Sequence, residues 1–460
     1  MIRDDMFRQF VFGDTVISKQ PFSVDEFTKI LTRGKDAARK APFVPTEKTL
    51  ELFGRLARVW QDRAYPKRKE AAEALRKSTG FSPELINAAL DKFPGMLAPE
   101  TLKTKIEGEL GNPAILDEPI LQSSTGVRLI FRPAGQVLHV ASGNVFLASI
   151  DSLIDGIITK NINYLKMSSE ERDFAIIFAQ SIKEFDTDNV VVPRLAIFWW
   201  QGGDGNIEGL FKQAMDRIVF WGGYDALLNW ERGIGEGTIL VRHGPKISFG
   251  VISKDGLAGA NLPELTDRMA FDISIWEQRA CNCPQAVFVD EAVSDDRMKA
   301  FLDSLAGSLR KITAHIPPAR CSSDEYVEIL KARELALARS IVTGSDPHID
   351  GPSTLEWTII YNKGESKDDG TEVSPLNRTI LVKRYRSLEE LAELLRQRSF
   401  YLQTIGYCLA ENEIQDYASA LSAAGVTRLC PFGIMVIPTP GAPHDGASAL
   451  RDITRTAVIE

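Results

Sequence analysis

The chain has 460 residues, of which 44% are hydrophobic and 25% charged, so it is long enough for two or three domains with their own cores. Its formal net charge of −8 argues against nucleic acid as a main partner, because the phosphate backbone would repel it. No apolar run reaches the roughly 18 residues of a membrane span. The five scattered cysteines and a polar N-terminus without a signal peptide predict a cytoplasmic protein with free thiols.

Residues 1–125 are predicted to form a largely helical N-terminal region. Apolar residues recur three and four positions apart between Thr49 and Leu116, and Ser82 is a candidate N-cap. The rhythm changes at Val127, where the segment VRLIFRPAGQVLHVAS predicts a pair of strands broken at a Pro-Ala-Gly turn.

Strands and helices alternate over residues 126–252, which predicts a parallel sheet with crossover helices. Such sheets bind nucleotides at the carboxyl ends of their strands. The glycine-rich segments at Gly202 and Gly233 do not complete the pattern G-x-G-x-x-G, because Glu208 and Thr238 stand at the last glycine. The domain is therefore predicted to lack a Rossmann fingerprint.

A second α/β domain is predicted over residues 253–430, with a charged loop at Lys363–Pro375. Residues 431–460 are expected to pack back on the core as a C-terminal segment. The segment WEQRACNCPQAVFV in the second domain places Cys281 between a polar turn and a strand. A thiol held in this way suits covalent thioester chemistry, and the alternative is a buried structural thiol.

Cys283 competes with Cys281 for the role of nucleophile. The two cysteines form a C-x-C pair without a second Cys/His pair at ligand spacing, so the sequence predicts no metal site.

Four segments occur in a fixed order: ASGN ending at Asn144, LKMSS with Lys166, FWGG with Gly222 and Gly223, and finally Cys281. This order resembles the aldehyde dehydrogenase superfamily. A closer resemblance is to the LuxC-type acyl-CoA reductases, and it is carried by HVASGNVFLASIDSLIDGIITKNINYLKMSSE, FWGGYDAL, GPKISFGVI, EQRACNCPQAVFV and GAPHDGASAL. It implies an aldehyde dehydrogenase-like α/β fold, with a Rossmann-like cofactor domain, an α/β catalytic domain and a helical N-terminal region.

The resemblance also implies roles for these residues. Cys281 would be the nucleophile, and Asn144 would help to form the oxyanion hole. Lys166 would contact the adenosine ribose of the cofactor. Gly222, with Gly223 beside it, would lie where a helix meets the cofactor pyrophosphate.

The stretch VRHGPK, residues 241–246, stands where hydrolytic aldehyde dehydrogenases carry a glutamate base. It has no carboxylate, which suits an enzyme that keeps its thioester until hydride arrives. His243 in this stretch is a candidate general acid or base, although a supporting role is favoured. Gln278 and His444 are further candidate supporting residues, and the GAPHDG segment of His444 either shapes the mouth of the site or forms a turn.

Cofactor choice depends on Ser169, which stands where NAD-preferring relatives carry a glutamate. Together with Ser168 and Lys166, it favours NADPH over NADH. The alternative is that the two serines cap the following helix. Three tryptophans are candidate acyl-pocket or cofactor-stacking residues, with core packing as the alternative: Trp199, Trp200 and Trp221.

The predicted activity is NADPH-dependent reduction of an acyl-CoA or acyl-protein thioester to an aldehyde, through an acyl-enzyme on Cys281. One alternative is an aldehyde dehydrogenase that runs oxidatively. Another is a non-catalytic subunit that channels acyl groups within a multi-enzyme complex. An acyl-activating partner protein and a homo-oligomer are also expected.

Overall fold

The structure, a computed structural model, describes residues 6–40, 42–343, 347–362 and 373–460. Its strands, in chain order, are β1 (Phe7–Val11), β2 (Asp14–Ser18), β3 (Ile120–Leu121), β4 (Arg128–Pro133), β5 (Gln136–Val140), β6 (Ile162–Lys166), β7 (Leu195–Phe198), β8 (Arg217–Trp221), β9 (Ile239–His243), β10 (Ile247–Ile252), β11 (Pro284–Asp290), β12 (Pro347–Asp350), β13 (Thr358–Asn362), β14 (Thr379–Tyr385), β15 (Leu402–Cys408), β16 (Arg428–Pro431) and β17 (Thr454–Ile459).

The α-helices are α1 (Val24–Lys40), α2 (Thr46–Gln61), α3 (Pro66–Ser78), α4 (Pro83–Leu97), α5 (Pro99–Leu110), α6 (Phe146–Ile158), α7 (Phe174–Phe185), α8 (Gly205–Ala214), α9 (Tyr224–Glu231), α10 (Lys254–Gly259), α11 (Leu262–Ser274), α12 (Asp295–His315), α13 (Ser323–Thr343), α14 (Leu388–Arg396), α15 (Ile414–Ala423) and α16 (Ala449–Asp452). Ser82 accepts a hydrogen bond from the Leu85 amide at 3.3 Å, as expected of a residue that caps α4.

The chain divides into two compact units. The first unit comprises the described parts of Met1–Thr79, Ile86–Gly244 and Thr439–Glu460, and the second those of Gly80–Leu85 and Pro245–Pro438. The four domain ranges expected from the sequence stay predictions.

The first unit contains a seven-stranded sheet in the order β2-β1-β7-β6-β5-β8-β9. Strands β5 to β9 run parallel, and helices α6 to α9 connect them. Every residue of β5 and β6 is buried, as expected for parallel strands whose sheet is covered on both faces. This arrangement confirms the predicted parallel sheet with crossover helices.

A β-hairpin near the N-terminus was not predicted from the sequence. Val11 of β1 pairs with Asp14 of β2, so Phe12 and Gly13 form a two-residue turn with φ values of 48° and 103°. Strand β1 also pairs antiparallel with β7 and extends the parallel sheet. The predicted largely helical region, residues 1–125, therefore also contains strands: β1, β2 and the short β3.

The predicted strand pair at residues 127–142 forms two strands, but they lie in different sheets. Strand β4 joins an antiparallel sheet in the order β17-β4-β3, whereas β5 lies at the centre of the parallel sheet. Gly135 separates them at a φ of 132°, and a Cβ atom there would lie 2.1 Å from the Asp216 carboxylate. The close approach of Asp216 and the positive φ therefore require glycine at this position.

The second unit contains a seven-stranded sheet in the order β12-β13-β14-β11-β10-β15-β16, parallel except for β12. Its helices α11 and α12 pack together on a core that includes Met269, Phe301 and Val287. Residues 363–372 of the predicted charged loop lie outside the described residues. In the part of the chain that the structure describes, every helix falls short of the length or the apolar character needed to cross a membrane.

Candidate active site

Cys281 lies in a short loop of the second unit that leads into β11. Its side chain is half-buried, and its carbonyl accepts a 2.7 Å hydrogen bond from the Ser248 hydroxyl on β10. The same hydroxyl accepts the Thr404 amide of β15 at 3.0 Å, so it links the loop to two neighbouring strands. The backbone of the predicted nucleophile is thereby fixed, in a residue that is only partly buried.

Cys283 has a different environment. It is 1% exposed, and its thiol donates to the Ile275 carbonyl at 3.3 Å. Burial, together with the negative charge of Asp272, raises the pKa of Cys283 well above its usual range. A neutral, enclosed thiol is a poor nucleophile, which supports the sequence-based preference for Cys281.

The residues before the cysteine loop adopt an unusual backbone conformation. Trp276, Glu277 and Gln278 all have left-handed φ values, of 58°, 51° and 59°. A second left-handed run, residues 376–378, has φ values of 64°, 50° and 57°. Such conformations cost about 1 kcal/mol or more per residue, so the surrounding structure must hold them in place.

A buried ion pair joins the two left-handed runs. Arg378 donates from Nε and Nη2 to the two carboxylate oxygens of Glu277, at 2.9 and 2.7 Å, and both side chains are almost completely buried. Arg378 also donates to the Ile316 carbonyl, and the Asn377 amide donates to the Glu277 carbonyl. Sequence reasoning missed this pair, because nothing local in the sequence connects residues 101 positions apart.

Gln278 is 1% exposed and supports the same loop. Its side-chain amide donates to the carbonyls of Pro284 and Thr379, at 2.8 and 3.0 Å. The two carbonyls lie at the starts of adjacent strands β11 and β14. The predicted supporting residue therefore ties the cysteine loop to the sheet of the second unit.

The predicted residues of the first unit follow neighbouring parallel strands. Asn144 follows β5, Lys166 ends β6, Gly222 follows β8 and His243 ends β9. Because these strands are adjacent in the order β6-β5-β8-β9, their carboxyl ends form one edge of the sheet. Ligands of open parallel sheets bind at such an edge.

Asn144 lies in the turn between β5 and α6. The Ser142 hydroxyl donates to its Oδ1 atom at 2.6 Å. With Oδ1 bonded to the hydroxyl, the NH₂ group is the donor of this side chain. An amide donor is the chemical feature that an oxyanion hole requires.

Lys166 is buried, with its ammonium 5.6 Å from the centre of the Trp200 ring. Burial lowers its pKa, and the carboxylate of Glu208 acts in the opposite direction. Trp200 itself stacks on Phe211 at 4.9 Å inside the core of the first unit. Packing is therefore sufficient to explain Trp200, as the alternative interpretation of the sequence held.

Ser168 and Ser169 follow Lys166. The Ser168 hydroxyl accepts the Glu171 amide at 3.0 Å, and Ser169 is exposed. The buried carboxylate of Glu171 in turn accepts two amides at the start of α7, those of residues 173 and 174. Ser168 thus takes part in a turn that leads into the helix, which favours the capping alternative for this serine.

The Gly222-Gly223 turn provides space for an anionic group. A Cβ atom at Gly222 would lie 2.8 Å from the Phe220 ring, whereas one at Gly223 would meet open space. Gly223 is the N-cap of α9 and has no side chain that could accept a capping hydrogen bond from the first amides of the helix. The first amides of α9 therefore fit a cofactor pyrophosphate.

His243 lies at the end of β9, and its ring stacks on Trp221 at 3.8 Å with an interplanar angle of 9°. Its Nδ1 atom lies 3.4 Å from the carboxylate of Asp445, and its carbonyl accepts the Gly222 amide at 3.3 Å. The VRHGPK stretch itself has no carboxylate, but the carboxylate of Asp445 in the C-terminal segment lies beside His243 in the folded unit.

His444 lies in a turn, which is one of the two roles that the sequence analysis gave to its GAPHDG segment. It exchanges two 2.9 Å backbone hydrogen bonds with Ala447, across Asp445 and Gly446 at φ values of 53° and 78°. This geometry is a two-residue hairpin, and Asp-Gly is a favoured pair for it. The turn places His444 beside the rings of residues 243 and 221, with ring centres 5.7 and 5.2 Å away.

Comparisons with known proteins agree on family and fold. The family model described as acyl-CoA reductase (LuxC) matches residues 42–456. The long-chain acyl-protein thioester reductase of Vibrio harveyi is 26% identical over 400 residues, which are 86% of this chain and 79% of that protein.

Two solved structures are similar to the whole chain. A mutant of aldehyde dehydrogenase C from Pseudomonas syringae, complexed with NAD⁺ and octanal, has a TM-score of 0.74 at 13% identity, covering 99% of this chain and 96% of that one. Glyceraldehyde-3-phosphate dehydrogenase of Methanocaldococcus jannaschii, complexed with NADP, has a TM-score of 0.70 at 14% identity, covering 100% and 99%. The predicted aldehyde dehydrogenase-like fold is confirmed.

Proposed function

Because the chain belongs to the acyl-CoA reductase (LuxC) family, a family of aldehyde-forming oxidoreductases, we propose that it reduces an acyl thioester to an aldehyde through an acyl-enzyme on Cys281. The observation that carries the proposal is the anchored, half-buried Cys281 beside the enclosed thiol of Cys283. A thiol on a structurally fixed and only partly buried residue suits this chemistry.

The first half of the reaction is thioester exchange. The Cys281 thiolate attacks the acyl carbonyl, the bond to the donor sulfur breaks, and the donor thiolate leaves. An ordinary thiol has a pKa of about 8.5, so the donor leaves without a strong general acid. We assign Asn144 to the stabilisation of the oxyanion, since its side chain carries an NH₂ donor while Oδ1 is bonded to the Ser142 hydroxyl.

The second half needs hydride. A nicotinamide dinucleotide, when bound, supplies it to the acyl carbonyl. Collapse of the resulting thiohemiacetal releases the aldehyde and returns Cys281 as a thiolate. The absence of a carboxylate from residues 241–246 fits a protein that keeps its thioester from water during this interval.

Intact-mass measurement with an acyl-CoA tests the nucleophile. Wild-type protein and Cys283→Ala should each gain one acyl group, because the Cys283 thiol is buried and neutral. Cys281→Ala should gain none. An acyl adduct on Cys281→Ala would contradict the assignment. So would the absence of an adduct on Cys283→Ala, provided that this variant has the circular dichroism spectrum of the wild type.

Residues of the first unit fit a dinucleotide. The open space at Gly223 and the amides of α9 suit a pyrophosphate, and Lys166 ends the neighbouring strand β6. We propose NADPH as the preferred cofactor, since Ser169 is exposed and brings no carboxylate that would repel a 2′-phosphate.

Comparison of kcat/KM for NADPH and NADH tests the preference. Ser169→Glu should lower kcat/KM with NADPH by about tenfold or more and leave the value with NADH within about threefold. The neighbouring exposed substitution Glu170→Gln is the control. A wild-type preference for NADH, or an unchanged ratio in Ser169→Glu, would overturn the proposal.

The acyl donor is CoA, a carrier protein or an acylated partner protein. The name of the Vibrio harveyi relative describes an acyl-protein thioester as its substrate. We propose that this chain likewise accepts an acyl group from a protein thioester, in addition to acyl-CoA, and that it does so as a homo-oligomer in the cytoplasm with an acyl-activating partner. NADPH consumption is measured with acyl-CoA and with acylated carrier protein to test the donor. Light scattering measures the number of subunits.

A further inference from the structure

His243, His444 and Asp445 bring three metal-ligand atoms together in the first unit. Oδ2 of Asp445 lies 3.4 Å from Nδ1 of His243 and 3.7 Å from Nε2 of His444. The three residues can each offer one ligand atom within 4.8 Å of the others. Tetrahedral zinc with ligand bonds of about 2.0–2.1 Å places its ligand atoms about 3.3 Å apart, so two of the separations are already close to that value.

The elements that carry these residues restrict the orientation of the side chains. The His243 ring is held flat against Trp221, so only the edge of the ring is presented to Asp445. Asp445 occupies the first position of the two-residue hairpin, and its side chain is 7% exposed. His444 is the most exposed of the three side chains, at 36%.

Carboxylates are among the charged groups that act on the two histidines. The carboxylate of Asp151 interacts with His444, and that of Asp452 interacts with His243. Lys105 also acts on His444, but its ammonium forms ion pairs with Asp151 and with the carboxylate of residue 155.

We propose that His243, His444 and Asp445 bind one divalent transition-metal ion, of the class represented by Zn²⁺, with water in the remaining position. Imidazole and carboxylate ligands without a thiolate suit Zn²⁺, Co²⁺ and Ni²⁺. The sequence predicted no metal site, because that expectation considered only a second Cys/His pair at ligand spacing beside Cys281 and Cys283. Here His243 and Asp445 are 202 positions apart and meet only in the folded unit.

An ion at this position would link the C-terminal hairpin to the ends of β8 and β9. The Gly222 amide donates to the His243 carbonyl, so the same ion would also restrain the turn that precedes α9. The expected role is structural. It does not depend on the proposed reaction, and metal binding is measured without substrate.

Protein treated with a chelator and dialysed is titrated with Zn²⁺ by calorimetry and with Co²⁺ by visible absorption. One equivalent should bind per chain, with cobalt bands of a nitrogen and oxygen site and without a thiolate-to-cobalt charge-transfer band. Asp445→Asn keeps a residue that tolerates the left-handed turn but removes the charge, and His444→Ala removes a half-exposed ligand. Both should weaken binding by about tenfold or more.

His315→Ala is the matched control, because His315 is an exposed histidine of the second unit whose ring bonds to the Lys311 carbonyl. It should bind as the wild type does. Zn²⁺ should also raise the Tm of the wild type and of His315→Ala, but not that of Asp445→Asn.

Three results would overturn the proposal: no binding by the wild type, equal binding by the wild type and His444→Ala, or a thiolate charge-transfer band that assigns the ion to cysteines. Circular dichroism checks that each variant folds. If Asp445→Asn does not fold, the comparison of His444→Ala with His315→Ala decides the question.

Discussion

Cys281 and Cys283 are separated by a single residue, yet they have different environments. Ser248 anchors the backbone of Cys281, whereas the thiol of Cys283 is enclosed and hydrogen-bonded to the Ile275 carbonyl. Burial without a nearby cation stabilises the neutral thiol, so Cys283 carries little thiolate at neutral pH. The proposal of Cys281 rather than Cys283 as the nucleophile is therefore supported by the different burial of the two residues.

Asn144 is the residue on which the proposed oxyanion stabilisation depends. Asn144→Ala should lower kcat by about 10²–10³, with a smaller change in KM, because a donor to the oxyanion acts mainly in the transition state. Steady-state kinetics with an acyl-CoA measures the changes in kcat and in KM separately. Ser142→Ala, which removes only the hydrogen bond to Oδ1, should lower kcat by less. A decrease of less than about threefold in Asn144→Ala would remove the residue from the mechanism.

At the scale of elements, the start of α7 depends on a buried carboxyl group. Glu171 is 5% exposed, and burial raises its pKa from 4.5 to about 7, although two backbone amides favour the charged form. Because the folded-state pKa is the higher one, the group contributes most to stability below pH 4.5. That contribution is lost as the pH rises through about 7.

Glu171→Gln keeps an oxygen that can accept the amides of Asp173 and Phe174, and it cannot become charged. We compare the free energy of unfolding of the variant with that of the wild type. This difference should shift in favour of the variant by about 2–3 kcal/mol when the pH is raised from about 5 to about 8. Urea unfolding at the two pH values measures the difference. Glu170→Gln, an exposed neighbour, controls for the loss of a carboxylate. A difference that is the same at both pH values would show that Glu171 is not the titrating group.

The two left-handed runs beside the cysteine loop depend on the Glu277–Arg378 pair. Glu277→Gln leaves the Arg378 guanidinium buried opposite a neutral partner, which should lower the free energy of unfolding by about 3–5 kcal/mol. The control Glu264→Gln breaks an exposed pair with Arg268 and should change it by less than about 1 kcal/mol. Urea unfolding followed by circular dichroism compares the two. Equal midpoints for both variants would mean that the backbone holds its shape without the buried pair.

At the scale of the whole molecule, the end of the chain is part of the first unit. Strand β17 pairs with β4, and Leu450 of α16 is completely buried. Leu450→Ala should therefore lower the free energy of unfolding by about 2–5 kcal/mol. Val458→Ala, at a residue that is 58% exposed, should change it by less than about 0.5 kcal/mol. Thermal unfolding measures both, and an equal loss in the two variants would contradict a supporting role for this segment.

Local sequence was sufficient to predict the alternation of strands and helices and the order of the segments around Asn144, Lys166, Gly222 and Cys281, and through them the fold and the family. Periodicity and short motifs are local properties, and they express local backbone preferences directly. The N-terminal hairpin was missed because a two-residue Phe-Gly turn is a weak signal.

Three-dimensional packing, in contrast, set which side chains meet. Strands β4 and β5 follow one another in the chain but pair in different sheets, and the Gly135 between them lies against the Asp216 carboxylate. Two pairs of side chains meet although they are distant in sequence. Glu277 and Arg378 are 101 positions apart, and His243 and Asp445 are 202 positions apart. Such pairs form because a buried charge or polar group must find a partner once folding has removed it from water, and the partner can come from any part of the chain.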